Sequence, residues 1–140
     1  MGVPLSTDAQ AFLHEKVYGH IATLMRDGSP QSTIVWVETD GANILVNNST
    51  NRVKLKNMQR DGRVALSIAD PQDPYRTMYV RGRVIDISGP EEGLEFIDVL
   101  AKKYRSQERY PRDRLVGETR VKVTIEPLHV LERGLAPDKG

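Results

Sequence analysis

Residues 20–41 read HIATLMRDGSPQSTIVWVETDG, two runs of strand-forming residues divided by Asp27-Gly28. Asp-Gly is the short-range signal for a tight hairpin turn, because such turns need positive φ angles that few other residues tolerate. Trp36 alternates with Val35 and Val37, so one face of the second run is apolar core and the other is free to face a cleft. A second turn signal, TDGAN (39–43), leads into ILVNN (44–48). The spacing therefore predicts a three-strand meander.

Working outward, TDAQAFLHEKVY (7–18) places Thr7 and Gln10 at capping-box spacing and Phe12, Leu13 and Val17 on one helical edge. Downstream, a short helix is expected over roughly 50–60, closed by Asp61-Gly62. RVALSIAD (63–70) reads as a strand, PQDP (71–74) as a loop, and YRTMYVRGRVIDIS (75–88) as a long strand bulged or bent at Gly82. GPEEGLEFIDVLAKKYRS (89–106) is the clearest helix, with a stripe of Leu94, Ile97, Ala101 and Tyr104. A polar connector, QERYPRDRLVGE, precedes the last strand, TRVKVTIEPLHVLER (119–133), and the tail GLAPDKG is expected to fray. Six strands, mostly hairpin-linked, with three peripheral helices predict a mainly β fold: one barrel domain over 1–140, its core at about 8–133.

The charges nearly cancel, 20 Lys and Arg against 19 Asp and Glu for a net +1, which argues against a general nucleic-acid binder. Any cationic site must be local. There are no cysteines, so thiolate nucleophiles, disulfides and Cys-ligated metals are excluded together. No apolar run approaches the roughly 20 residues that span a bilayer, and a cytoplasmic protein without membrane partners is expected. His14, His20 and His129 are scattered and support no metal site. GxSxG, GxGxxG and GxxxxGK[ST] are all absent, which removes the usual hydrolase and nucleotide-cradle motifs. With no catalytic side chain identifiable, enzyme chemistry here would be borrowed from a cofactor.

One local charge feature stands out in NNSTNRVKLKNMQRDGR (47–63). The start of a helix carries free N–H groups and roughly +0.5 of an elementary charge, so it ordinarily attracts acids. Here Arg52 and Lys54 follow Ser49 and Thr50 with no acid among them. With Thr50 as N-cap, Arg52, Lys54 and the helix N–H groups would reach one point, with Asn57 on the face of Lys54. That arrangement suits a bound phosphate, which would reverse the repulsion. A solvated basic face is the alternative reading.

In order and spacing, HIATLMRDGSPQSTIVWVETDG, RVKLKNMQRDGRVALSI and DPYRTMYVRGRV resemble successive motifs of the pyridoxamine-phosphate-oxidase-like split β-barrel superfamily. Within it they resemble the branch of deazaflavin (coenzyme F420)-dependent oxidoreductases, over roughly residues 8–131. The resemblance implies an FMN-binding-type split barrel, homodimeric, with a cofactor at each subunit interface. It implies that Arg52 and Lys54 bind the cofactor phosphate, supported by Asn57, with Ser49 and Thr50 as further donors. It places Gln31, Ser32 and Thr33 along the flavin-type ring, and Tyr75 and Arg76 toward the partner subunit's site. Asp61-Gly62 stands where the family often has Asp-Pro.

The function so implied is hydride transfer from reduced F420 to an electron-poor conjugated small molecule. FMN is the alternative cofactor, since it has the same ribityl-phosphate handle. F420 differs in its lactyl-oligoglutamate tail, for which Lys56, Arg60 and Arg76 are candidate basic neighbours. A non-catalytic binder of a cofactor or tetrapyrrole is a third reading.

Overall fold

Six antiparallel strands close into a barrel in the order β1-β2-β3-β6-β5-β4. They are β1 (Tyr18–Leu24), β2 (Pro30–Thr39), β3 (Ile44–Ser49), β4 (Arg63–Asp70), β5 (Asp73–Ser88) and β6 (Arg120–Arg133). Helices α1 (Thr7–His14), α2 (Val53–Arg60) and α3 (Glu91–Arg105) pack against it. The computed structural model describes residues 2–136. A short 3-10 turn, Arg112–Leu115, lies within what reads in sequence as a polar connector.

The hairpin read from residues 20–41 is β1–β2, in continuous register from Tyr18↔Trp36 to Leu24↔Pro30. Its turn needs only one positive φ, at Gly28 (86°). Asp27 contributes differently, by accepting the Ser29 N–H at 3.0 Å. Alternation along the strands sends Ile21, Val35, Val37, Leu66, Ile68, Met78, Val123 and Ile125 into the barrel, where Phe12, Leu13, Leu55 and Met58 of α1 and α2 join them. The register of β5 against β6 shifts between Arg81 and Gly82. A Cβ at Gly82 would lie 2.5 Å from the Glu126 carbonyl oxygen, so this bulge requires glycine.

Four local expectations are corrected. The cap of α1 is Ser6, whose Oγ accepts the Ala9 N–H at 3.0 Å, and not Thr7. The helix also ends at His14, because Val17 and Tyr18 turn into the barrel wall. The cap of α2 is Arg52, with no side-chain cap bond, while Thr50 lies ahead of it with its N–H on the Thr119 carbonyl at 3.0 Å. At the C-terminus Leu135 is buried in the core rather than frayed, and its carbonyl accepts from Arg76 at 3.1 Å. The rest of that expected tail, 137–140, lies outside the described residues, as does residue 1.

Helix α3 builds a second apolar cluster on the outside of the barrel. Phe96, Leu100 and Tyr104 pack there with Leu45, Tyr18 and Trp36. Its buried face runs through Gly93, Phe96, Ile97, Leu100, Ala101 and Tyr104, whereas Leu94 of the expected stripe is only half-buried. Gly93 sets this rotation: a Cβ there would come within 2.0 Å of the Arg120 carbonyl oxygen, so α3 lies directly on the backbone of β6. No helix among the described residues is long and apolar enough to cross a membrane.

Candidate functional site

Strands β2 and β3 pair only over Val37–Thr39 and Ile44–Val46. Before Val37, β2 stays with β1, while β3 continues along β6 through Asn47, Asn48 and Ser49. Two neighbouring strands that stop pairing leave a split in the wall. A cleft of about 310 Å³ opens beside that split, with Ile34 and Trp36 on one side, Asn47 and Asn48 on the other, and Leu100 and Arg105 of α3 across it.

Four cations converge there: Arg52, Lys54, Arg105 and Arg120. The Lys54 ammonium donates to Thr33 Oγ1 at 3.0 Å and so spans from α2 to β2. Burial first, then the charges of Arg52 and Arg120, hold its pKa below the usual lysine value of 10.5. Arg120 is mostly buried, contacts Glu118 at 3.1 Å, and donates to Asn47 Oδ1 at 3.4 Å. Asn47 is itself oriented by donating to the Gly93 carbonyl at 2.8 Å. Glu118 also touches Arg52 at 3.5 Å. Among the described residues, Arg120 Nε, Glu118 Oε2 and Gln31 Oε1 are buried polar atoms without a hydrogen-bond partner. Each such atom costs about 1–3 kcal/mol.

An aromatic wall flanks the cations. Trp36 stacks on Tyr104 with centroids 4.9 Å apart and planes 7° from parallel. The Arg105 guanidinium lies 5.1 Å from the Trp36 centroid, and Tyr110 meets Trp36 edge-on at 6.5 Å. This wall is rigid because of what lies beneath it. Tyr104 Oη donates to the Val17 carbonyl and accepts the Val37 N–H at 3.0 Å, and burial raises its pKa well above the usual 10. Lys103 donates to the Leu13 and Val37 carbonyls, both at 2.6 Å, pinning the last turn of α3 to α1 and β2.

Of the residues singled out in sequence, Arg52, Lys54 and Thr33 meet at the split. Ser49 is buried with its hydroxyl donating to Asn51 Oδ1 at 2.7 Å, and Thr50 is exposed. Asn57 is buried away from the cleft, donating to Thr23 Oγ1 at 3.0 Å, where it fastens α2 to β1. Gln31 is half-buried and Ser32 lies exposed on the outer face. Tyr75, 84% exposed, and Arg76 do not line the cleft within one chain. The Arg76 guanidinium binds Glu15, Asp70 and the carbonyls of Gly134 and Leu135. Lys56 and Arg60 line a different hollow, with Met25 and Ser29.

Asn47, Arg105, Tyr110, Glu118 and Arg120 enter the site without having been foreseen. A weak signal existed for Asn47, since two asparagines end an otherwise apolar strand. None existed for the others, which come from a helix end, the connector and the first residue of β6.

A closed six-stranded antiparallel barrel whose β2 and β3 pair over only three residues is the architecture to set beside known proteins. Residues 5–129 match the family model described as pyridoxamine 5'-phosphate oxidase, and the chain belongs to that family. A solved structure named F420 reductase is 32% identical, with a TM-score of 0.76, over 92% of this chain and 98% of that one. A conserved hypothetical protein from Mycobacterium tuberculosis is 22% identical, with a TM-score of 0.72, over 99% and 92% of the two chains. HutZ, a heme storage protein from Vibrio cholerae, shares the fold at 13% identity, TM-score 0.69, over 94% and 96%. None of the curated proteins matches in sequence.

Proposed function

We propose that this protein is an oxidoreductase that uses reduced coenzyme F420 to reduce an electron-poor conjugated small molecule. The observation that carries the reading is the convergence of Arg52 and Lys54 on the split between β2 and β3, with Thr33 beside them. The donor set fits a phosphate-bearing cofactor: one guanidinium, one ammonium and a further buried arginine with an unpaired Nε. When bound, F420 supplies the hydride, from C5 of its deazaflavin ring.

The chain's own residues bind and orient. Arg52 and Lys54 hold the phosphate, and Gln31, Ser32 and Thr33 on β2 lie along the ring. Ser49 and Thr50 shape the turn that delivers Arg52, and Asn57 fixes the pitch of α2. Arg105 adds positive charge that the ribityl phosphate of FMN alone does not need. It suits the carboxylates of an F420 tail, a role for which Lys56, Arg60 and Arg76 are badly placed. The similarity to an F420 reductase at 32% identity supports the same choice.

The site is completed by a second copy of the chain. Register places Ile34, His20, Ser67, Tyr79 and Leu131 in one lateral row across five strands. Ile34 (63%), Tyr79 (41%) and Leu131 (56%) are exposed along it. Such a row supports a homodimer, with Tyr75 and Arg76 of each subunit toward its partner. Titration of the purified protein with F420 and with FMN tests the cofactor assignment: F420 binds more tightly if the reading is right, and tight FMN binding without F420 binding overturns it.

A further inference from the structure

We propose that Glu118 is a built-in competitor for the anion of the cleft, a side-chain carboxylate seated between Arg52 and Arg120 that must leave when a ligand phosphate enters. The proposal rests on the reading of this cleft as an anion site. Among the described residues, Glu118 is the one carboxylate in contact with any of the four cations: Oε1 lies 3.5 Å from Arg52 Nη2 and Oε2 lies 3.1 Å from Arg120 Nη2. A carboxylate bridging two arginines occupies the position that a phosphate would take between them.

Its fit there is poor. Oε2 is buried yet has no hydrogen bond, because its approach to Arg120 has the distance of an ion pair without the alignment of a hydrogen bond, and Arg120 Nε is also unpaired. The same connector shows what a well-made pair looks like. Arg112 grips Asp98 with both guanidinium nitrogens, at 2.7 and 2.9 Å. By contrast, Glu118 neutralises its arginines without satisfying them.

The segment that carries Glu118 is built to yield. Leu115 is buried and anchors one end, and the β6 ladder begins at Arg120 on the other. Between them Val116 is 83% exposed, and Gly117 sits at φ 79° with nothing within 4 Å of where a Cβ would be. The Glu118 N–H bonds only locally, to the Leu115 carbonyl at 3.0 Å. Glu118 can therefore exchange its place without disturbing the barrel. Its charge lowers the cleft's affinity for anions and keeps four cations from facing one another uncompensated.

Calorimetric titration with inorganic phosphate tests this on wild type, Glu118→Gln, Glu118→Ala and Arg52→Ala, with circular dichroism to verify each fold. Both Glu118 variants should bind phosphate more tightly than wild type, by about fivefold or more at low salt, and Arg52→Ala more weakly. Phosphate affinity that is unchanged or reduced in the folded Glu118 variants, alongside loss in Arg52→Ala, would overturn the competitor role alone. Equal affinity in all four proteins would overturn the anion site, and the competitor with it.

Discussion

The Lys54 ammonium on α2 donates to the Thr33 hydroxyl on β2 at 3.0 Å, bridging the split where β2 and β3 cease to pair. Lys54 is thus held at the cleft by a neutral partner, and its charge stays available to a ligand. Burial and the neighbouring arginines depress its pKa, and a bound anion would raise it again. Anion affinity should therefore fall as pH rises through the alkaline range below 10.5, the ordinary lysine value. Lys54→Arg, charged at any accessible pH, should lose that decline. Phosphate titrations between neutral and alkaline pH check both expectations.

Arg76 is predicted to matter for stability more than for anion affinity. It ties the end of α1, the β4–β5 turn and the segment after β6 through Glu15, Asp70, Gly134 and Leu135. Arg76→Ala should destabilise the chain by about 1.5–3 kcal/mol, the worth of charge-assisted hydrogen bonds, and leave phosphate binding within twofold of wild type. Asp70 lies below its ordinary 3.8, held by the Gln72 N–H and then by Arg76. A depressed carboxylate contributes stability that is present above 3.8 and lost as pH falls through its lowered pKa. The acid limb of the denaturation profile should be shallower in Arg76→Ala.

Tyr104→Phe should cost about 1–3 kcal/mol, since it leaves the buried Val17 carbonyl and Val37 N–H short of a partner. Because Trp36 is the single tryptophan and stacks on this ring, its fluorescence reports the change directly. Urea denaturation followed at that tryptophan gives the energy.

Ile34→Lys combined with Leu131→Lys should convert a dimer into a monomer at micromolar concentration. The two residues lie in one exposed row, and paired copies would bury like charges there. Light scattering on the purified variant decides it. An unchanged mass would remove this row from the interface.

The barrel was readable because its signals are local: Asp27-Gly28 breaks two alternating strands, Gly82 marks a bulge, and acids open α3. The cationic start of α2 was equally plain from Arg52 and Lys54. The rest of the cleft was not, because its parts meet only through topology. Arg120 reaches it because β3 stays paired with β6 beyond the point where it parts from β2, and Arg105 because Gly93 lets α3 rest on β6. Both read in sequence as ordinary charges on a strand and a helix end. Asn57 misled for the opposite reason. It shares a helix face with Lys54, but the barrel interior claims it through Thr23.

The central claim, that Arg52 and Lys54 hold the phosphate of a deazaflavin cofactor, is tested most directly by Trp36 fluorescence titration of F420 into wild type, Arg52→Ala and Lys54→Ala. Wild type should bind F420. Each variant should lose about tenfold or more in affinity, the scale of one lost charge-assisted contact, while keeping the wild-type melting temperature within a few degrees. Wild-type affinity in both variants would contradict the assignment.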